Sequence, residues 1–182
     1  MERIPVAILG ATGAVGQRLV SLLFSHPWFK PVALCASERS TGRPYGQVTK
    51  WILAEPMPAA AAAMTVRPCA PFPGPVIAFS ALDADAATDI EEDWAASGRL
   101  VVSNARSHRM RSDVPLVIPE LNADHLALAW RQPYPSGGAI VTNPNCSTIG
   151  LAMALKPLDD RSEERRVGKT GRSRWSPYHY KK

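Results

Sequence analysis

Apolar residues fall in short unbroken runs, each closed by glycine or a polar cluster, and between several runs the spacing changes to that of a helix. Residues 3–9 form the first run and read as a buried strand ending at Gly10. Leu19, Val20, Leu22, Leu23 and Phe24 then keep helical spacing over 17–24, until Pro27 stops the helix. Residues 31–36 read as a second short strand. Positions 42–75 are irregular, with seven prolines and an alanine run, and read as a long loop or insertion with one weak strand near 64–66. Further strands are expected at 76–79, 100–103 and 139–142. A helix is expected over 85–97, with Asp83, Asp85 and Asp89 near its positive end and Gly98 closing it. Residues 104–120 read as a loop with an extended piece at 116–118, and shorter helices are expected over 122–130 and 148–155. Strands alternating with helices, without internal repeats, predict an α/β fold with a Rossmann-like, doubly wound parallel sheet.

Composition narrows the class. With 46% hydrophobic and 20% charged residues in 182, the chain has enough apolar content for a real core. It contains no run of eighteen apolar residues, so no membrane partner is expected. The first residues lack a secretory apolar region, and three cysteines without CxxC spacing argue against a disulfide scaffold or a metal site. A reducing, cytoplasmic location is the expectation. The net charge of +5 suggests nucleic acid only until it is located. Residues 161–182 carry eight Lys/Arg against two Glu, a balance of +6, whereas 1–160 carry thirteen against fourteen acids, a balance of −1.

Four constellations carry chemistry. Gly10, Gly13 and Gly16 lie between the first strand and its helix, a variant of the dinucleotide fingerprint. Glycine there allows a tight turn and close backbone approach to a pyrophosphate, which the helix N-terminus attracts. The second strand ends in Ser37-Glu38-Arg39-Ser40, where hydroxyls and a guanidinium suit a ribose 2′-phosphate, favouring NADP over NAD. Asn143-Pro144-Asn145-Cys146-Ser147-Thr148 puts a cysteine at a strand-to-helix junction, where helix N–H groups favour its thiolate for attack on a carbonyl. Finally, Arg106, His108, Arg109 and Arg111 follow a strand's C-terminal end and suit an anionic group. Cys35 and Cys69 read as ordinary packed cysteines. The acids between Asp85 and Asp93 read as a solvated helix face, with no metal-ligand logic.

These residues, together with Phe79-Ser80-Ala81-Leu82, Ser103-Asn104-Ala105, His108-Arg109-Met110, the stretch from Asp113 to Glu120, and Asn122-Ala123-Asp124-His125, resemble the aspartate-semialdehyde dehydrogenase family over residues 3–158. The resemblance implies NADP-dependent, reversible reductive dephosphorylation of aspartyl phosphate to aspartate semialdehyde, in the biosynthesis of lysine, threonine, methionine and isoleucine. It implies Cys146 as nucleophile, through a thiohemiacetal and a thioester. Gly10, Thr12, Gly13, Ala14, Val15 and Gly16 would hold the pyrophosphate, and Ser37, Arg39 and Ser40 the adenosine end. Ser80 and Asn104 would line the cofactor groove, and Arg109 and Asn145 would bind the substrate or its phosphate. Malonyl-CoA reductase and N-acetyl-glutamyl-phosphate reductase are related alternatives by chemistry.

The expected organisation is an NADP-binding domain over 1–143 and the first helix of an α+β catalytic and dimerisation domain over 144–160. Family members continue beyond the cysteine, supplying an acid–base histidine and a substrate arginine, and form homodimers or homotetramers. After about Leu158 this sequence changes abruptly. Residues 161–182 resemble the translation of a sequencing adapter, are expected to be non-native, and do not supply the histidine through His179. A chain ending so is expected to hold NADP without turnover. The tail's arginines follow no amphipathic order, so no nucleic-acid partner is expected. Deleting 161–182 should therefore abolish no specific DNA affinity, as a salt-dependent binding titration would register.

Overall fold

A computed structural model describes residues 2–161, in two compact units that meet between Pro144 and Asn145. Of the tail expected over 161–182, Arg161 is described and the remainder lies outside the described residues. The first unit is built on five parallel strands: β1 (Ile4–Leu9), β2 (Phe29–Cys35), β3 (Ile77–Ser80), β4 (Leu100–Ser103) and β5 (Ala139–Thr142), in the order β2-β1-β3-β4-β5. The chain runs from β1 outward to β2, then crosses to β3 on the other side. That reversal is the topological switch point of a doubly wound sheet, where the carboxyl ends of neighbouring strands leave a crevice.

The unbroken apolar run of β1 follows from burial on both faces. Val6 and Ile8 point into a core with Val20 and Leu23 of helix α1 (Ala14–Phe24), and with Leu34, Tyr45 and Val66. Ala7 and Leu9 point the opposite way, into a core with Trp94 and Ala95 of α4, the helix over Ala84–Ala96, and with Ala78, Val101 and Ile140. Strand alternation thus divides β1 between two helical layers.

The proline-rich stretch departs from the expectation. It contains no strand near 64–66: the alanine run is a short helix, α3 (Ala59–Ala63), beside α2 (Tyr45–Val48), and the extended residues after it form only isolated bridges, Thr65 to Pro44 and Arg67 to Cys35. Alanine's helix propensity outweighs the β-branched pair that follows it. Nor is the stretch a loose insertion, since Tyr45, Ala61 and Val66 are buried in the α1-side core. Residues 119–131 also differ, forming one turn of α-helix, α5 (Pro119–Asn122), and then a 3₁₀ segment over Ala123–Arg131. The extended piece at 116–118 appears as a bridge from Leu116 to Thr142.

The second unit's described part is helix α6 (Cys146–Arg161), longer than the expected 148–155. It runs through Pro157, which forfeits one backbone N–H donor without ending the helix. An i,i+4 pair between Lys156 and Asp160 at 2.6 Å supports the last turns. No residue of α6 is buried. No helix among the described residues is long and apolar enough to cross a membrane.

Trp94 is the largest fully buried side chain, and its Nε1 donates to the Cys69 carbonyl at 2.6 Å. It joins the sheet's α4 side to the proline-rich segment. Trp94→Ala should lower stability by about 3–5 kcal/mol, measurable by urea denaturation.

Candidate functional site

The chain turns from β1 into α1 through a glycine loop whose geometry is set by backbone contacts. Gly10 has φ of +73°, a left-handed conformation open to glycine at little cost. A Cβ on Gly16 would lie 2.1 Å from the Gly10 carbonyl oxygen, so only glycine lets helix and loop approach this closely. Gly13 is the N-cap of α1, and the first intrahelical bond runs from the Gln17 N–H to the Gly13 carbonyl at 2.8 Å. The amides of Ala14, Val15 and Gly16 precede that bond and are the unpaired donors of the helix start. No acidic residue lies in this turn to neutralise the helix's positive end.

Two side chains that sequence reasoning passed over hold the loop from behind. The Tyr45 hydroxyl donates to the Ala11 carbonyl at 2.8 Å. Buried Gln17 donates through Nε2 to the carbonyls of Thr12 and Lys50, both at 3.0 Å, and its Oε1 accepts the Ile52 N–H at 2.8 Å. The loop's carbonyls are thus satisfied on the protein side. The available signal was a glutamine placed one residue after the third glycine, where helical geometry turns it inward.

A cavity of about 580 Å³ opens over this loop, between the ends of β1, β2 and β3. Gly10, Thr12 and Gly13 form its floor, and Ser37, Glu38 and Arg39 one rim. Its apolar wall includes Leu82, Ala86 and Ile90, and Asp93 also lines it, so α4 does more than present a solvated acidic face. Cys69 is another wall residue. Burial raises its thiol's pKa, while the Gly10 N–H partly opposes that. Ser40 belongs to the turn beyond the rim, its N–H donating to the Ser37 carbonyl. Ser80 and Asn104 are not wall residues of this cavity: Ser80 is buried at the end of β3, and Asn104 is exposed beyond β4.

The arginine loop after β4 divides by role. Arg111 is committed internally, donating to both Asp113 oxygens at 3.1 and 2.7 Å and to Glu92 Oε1 at 2.8 Å. The guanidinium holds the Asp113 carboxyl below its usual range. His108 is buried, which removes it from the solvent-facing surface. Arg109 is different. Its Nη2 donates to the Asn104 carbonyl at 2.9 Å, while its Nε is a buried donor without a partner. Asn104 also accepts from Asn143 Nδ2 at 2.9 Å and donates its N–H to the Ser80 carbonyl at 3.0 Å. Ser80, Asn104, Arg109 and Asn143 are therefore one connected group at the carboxyl end of the sheet.

In the second unit, Asn145 caps α6: its Oδ1 accepts the Ser147 N–H at 3.0 Å, and its carbonyl accepts the Ile149 N–H. Cys146, the helix's first residue, is a free, exposed thiol 3.9 Å from the same Oδ1. Among the described residues no cluster of His, Cys, Asp and Glu could hold a metal.

A glycine cradle that a Cβ would fill, helix donors above it and a cavity of ligand size together fit a pyrophosphate with its nucleoside. The fold and this crevice define a dinucleotide-binding domain of the doubly wound class. The family model described as "Semialdehyde dehydrogenase, NAD binding domain" matches residues 5–129, and the chain belongs to that family. It is similar to aspartate-semialdehyde dehydrogenase of Archaeoglobus fulgidus, 47% identical over 161 residues, which cover 87% of this chain and 47% of the relative. The Schizosaccharomyces pombe enzyme of that name is 45% identical over 160 residues, 85% of this chain and 45% of the relative. A malonyl CoA reductase (NADP) of Metallosphaera sedula is 40% identical over 156 residues, 84% of this chain and 43% of the relative. The solved Candida albicans aspartate semialdehyde dehydrogenase with NADP superposes with a TM-score of 0.80 at 39% identity, covering 88% of this chain and 48% of that one. The chain spans about half the length of the curated relatives it matches.

Burial pushes the Tyr45 hydroxyl up from 10.0 to about 12. The folded state therefore holds that proton more tightly than the unfolded chain. Its stabilising contribution is whole below about pH 10 and is lost as pH rises toward 12. Tyr45→Phe orphans the Ala11 carbonyl and should cost about 1–3 kcal/mol at neutral pH. It should also flatten the alkaline loss in that window. Cys35, raised by burial to about 12, titrates in both proteins, so the difference between their pH–stability curves isolates Tyr45.

Proposed function

We propose that this chain is the NADP-binding portion of an aspartate-semialdehyde dehydrogenase. The whole protein would convert aspartyl phosphate reversibly to aspartate semialdehyde and phosphate, in cytoplasmic amino-acid biosynthesis, as a homodimer or homotetramer. The observation that carries the reading is the glycine loop braced by Tyr45 and Gln17, whose Gly10, Thr12 and Gly13 line a cavity rimmed by Ser37 and Arg39. Relatives of this name at 45–47% identity support the choice of reaction.

Thr12, Gly13, Ala14 and Val15 would hold the pyrophosphate, Ala14 and Val15 through open backbone N–H groups and Gly13 by close backbone approach, and Ser37, Arg39 and Ser40 would hold a 2′-phosphate. When bound, NADP supplies the hydride acceptor in the oxidative direction and, once reduced, the donor in the other. Cys146 would attack the aldehyde carbon and come to hold the acyl group as a thioester, which inorganic phosphate then takes, returning the thiolate. The exposed thiol's place in the first turn of α6, at the positive end of that helix, favours that role. Arg109, with its unpartnered Nε, would bind the phosphate. The domain division proposed is 1–143 for the cofactor and 144–160 for the start of the catalytic part. The Metallosphaera sedula relative keeps a second substrate in view, malonyl-CoA, handled by the same thiol and cofactor.

The test is NADP binding by fluorescence beside phosphate-dependent NADP reduction with aspartate semialdehyde. The chain should bind NADP and show no turnover alone; turnover abolished in Cys146→Ala would instead make this stretch catalytically sufficient. Arg39→Ala should weaken NADP about ten- to hundredfold and NAD little. Equal losses for both cofactors would overturn the 2′-phosphate assignment.

A further inference from the structure

Behind the arginine loop lies a buried polar cluster centred on Glu91, Ser103 and His108, none of which lines the cavity over the glycine loop. Glu91, on the inner face of α4, is fully buried, and its Oε1 accepts the Ser103 hydroxyl at 2.8 Å. The Ser103 Oγ in turn accepts the Ala105 N–H at 3.1 Å, fixing the first turn of the loop after β4. The second oxygen, Oε2, faces His108 Nε2 at 3.4 Å, both atoms buried and with no better partner. Ser80, at the end of β3, is a further buried neighbour of the carboxyl, its hydroxyl without a hydrogen-bond partner. A carboxylate at such depth is retained at a desolvation cost, so its partners must be held in place for it to be tolerated. One of those partners, His108, immediately precedes Arg109.

We propose that Glu91 is a positioning residue: through Ser103 and His108 it fixes the loop that carries Arg109, and so sets that arginine's affinity for a tetrahedral anion. This rests on the reading of Arg109 as the anion holder. Asp113 of the loop also lies within electrostatic reach of His108, and Arg111 pairs with that acid and with Glu92 of α4. Arg111 holds Asp113 below the usual carboxylate range, whereas burial raises Glu91 above it, so the two acids titrate in separate windows.

The experiment titrates sulfate, whose charge is constant from weak acid to weak base, into the full chain and follows the Arg109 Nε–Hε resonance by NMR. Glu91→Gln keeps the shape and the acceptor for Ser103 but loses the charge facing His108. It should weaken sulfate about three- to tenfold, as should His108→Gln, and the double variant should be no worse than either. NADP affinity should stay within about twofold in each. In the unaltered chain, sulfate binding should weaken as pH falls through the window where Glu91 takes a proton, against the general electrostatic trend, and this step should vanish in Glu91→Gln. Additive losses, or an acid step unchanged in the variant, would overturn the proposal. Should Glu91→Gln not fold, His108→Gln and the unaltered chain's profile decide: a sulfate affinity indifferent to both would overturn it. Arg109→Gln, titrated with sulfate by calorimetry, separates the two readings. Unchanged sulfate binding there removes the anion role of Arg109, whereas a loss there without one in Glu91→Gln removes only the positioning role.

Discussion

The close approach of α1 to the end of β1 is the constraint on which the rest of the site depends. Gly16 rests against the Gly10 carbonyl at a separation that excludes a side chain, and this contact sets where the helix begins. Because the helix starts there, its unpaired amides open at the carboxyl edge of the central strand. Because β1 is central, with β2 on one side and β3 on the other, that edge is also the crevice of the sheet. Anion affinity thus follows from packing, with backbone dipoles in place of charged side chains.

Such a loop would be a poor binder if its carbonyls could swing into the crevice. Tyr45 and Gln17 prevent this by holding the Ala11 and Thr12 carbonyls on the opposite side. Both side chains are buried, so each is satisfied only in this one arrangement. The proline-rich segment from 42 to 75 supplies Tyr45 and the Lys50 carbonyl, and so serves as the backing of the loop. The Glu91 cluster stands in a comparable relation to the arginine loop, with a buried acid and the ends of two strands doing the holding.

Much of the fold was legible because its signals are local. Each strand of the parallel sheet is a mostly apolar segment of four to seven residues, and the strands 100–103 and 139–142 occupy the positions the pattern predicts. Helix α4 is offset by one residue at each end from its expectation. The alanine run and the 122–130 segment were less legible, because short helical turns depend on what they pack against as much as on their own residues. At the site, the rim residues Ser37 and Arg39 could be read from the strand's end. The separation of Arg109 from Arg111 could not, since Arg111 is committed through Asp113 and a glutamate nineteen residues earlier.

By itself, the order of residues determined the alternation of strand and helix, the glycine spacing at the first turn, and the cysteine following an asparagine at the last. These are properties of neighbours, governed by steric allowance, hydrophobic period and helix capping. Only the tertiary structure decided which carbonyls are tied back, which arginine keeps a free donor, and that Glu91 and His108 face one another in the interior. Those pairings join residues five to thirty-nine apart in the chain, because the fold, not the neighbouring sequence, decides which polar groups meet.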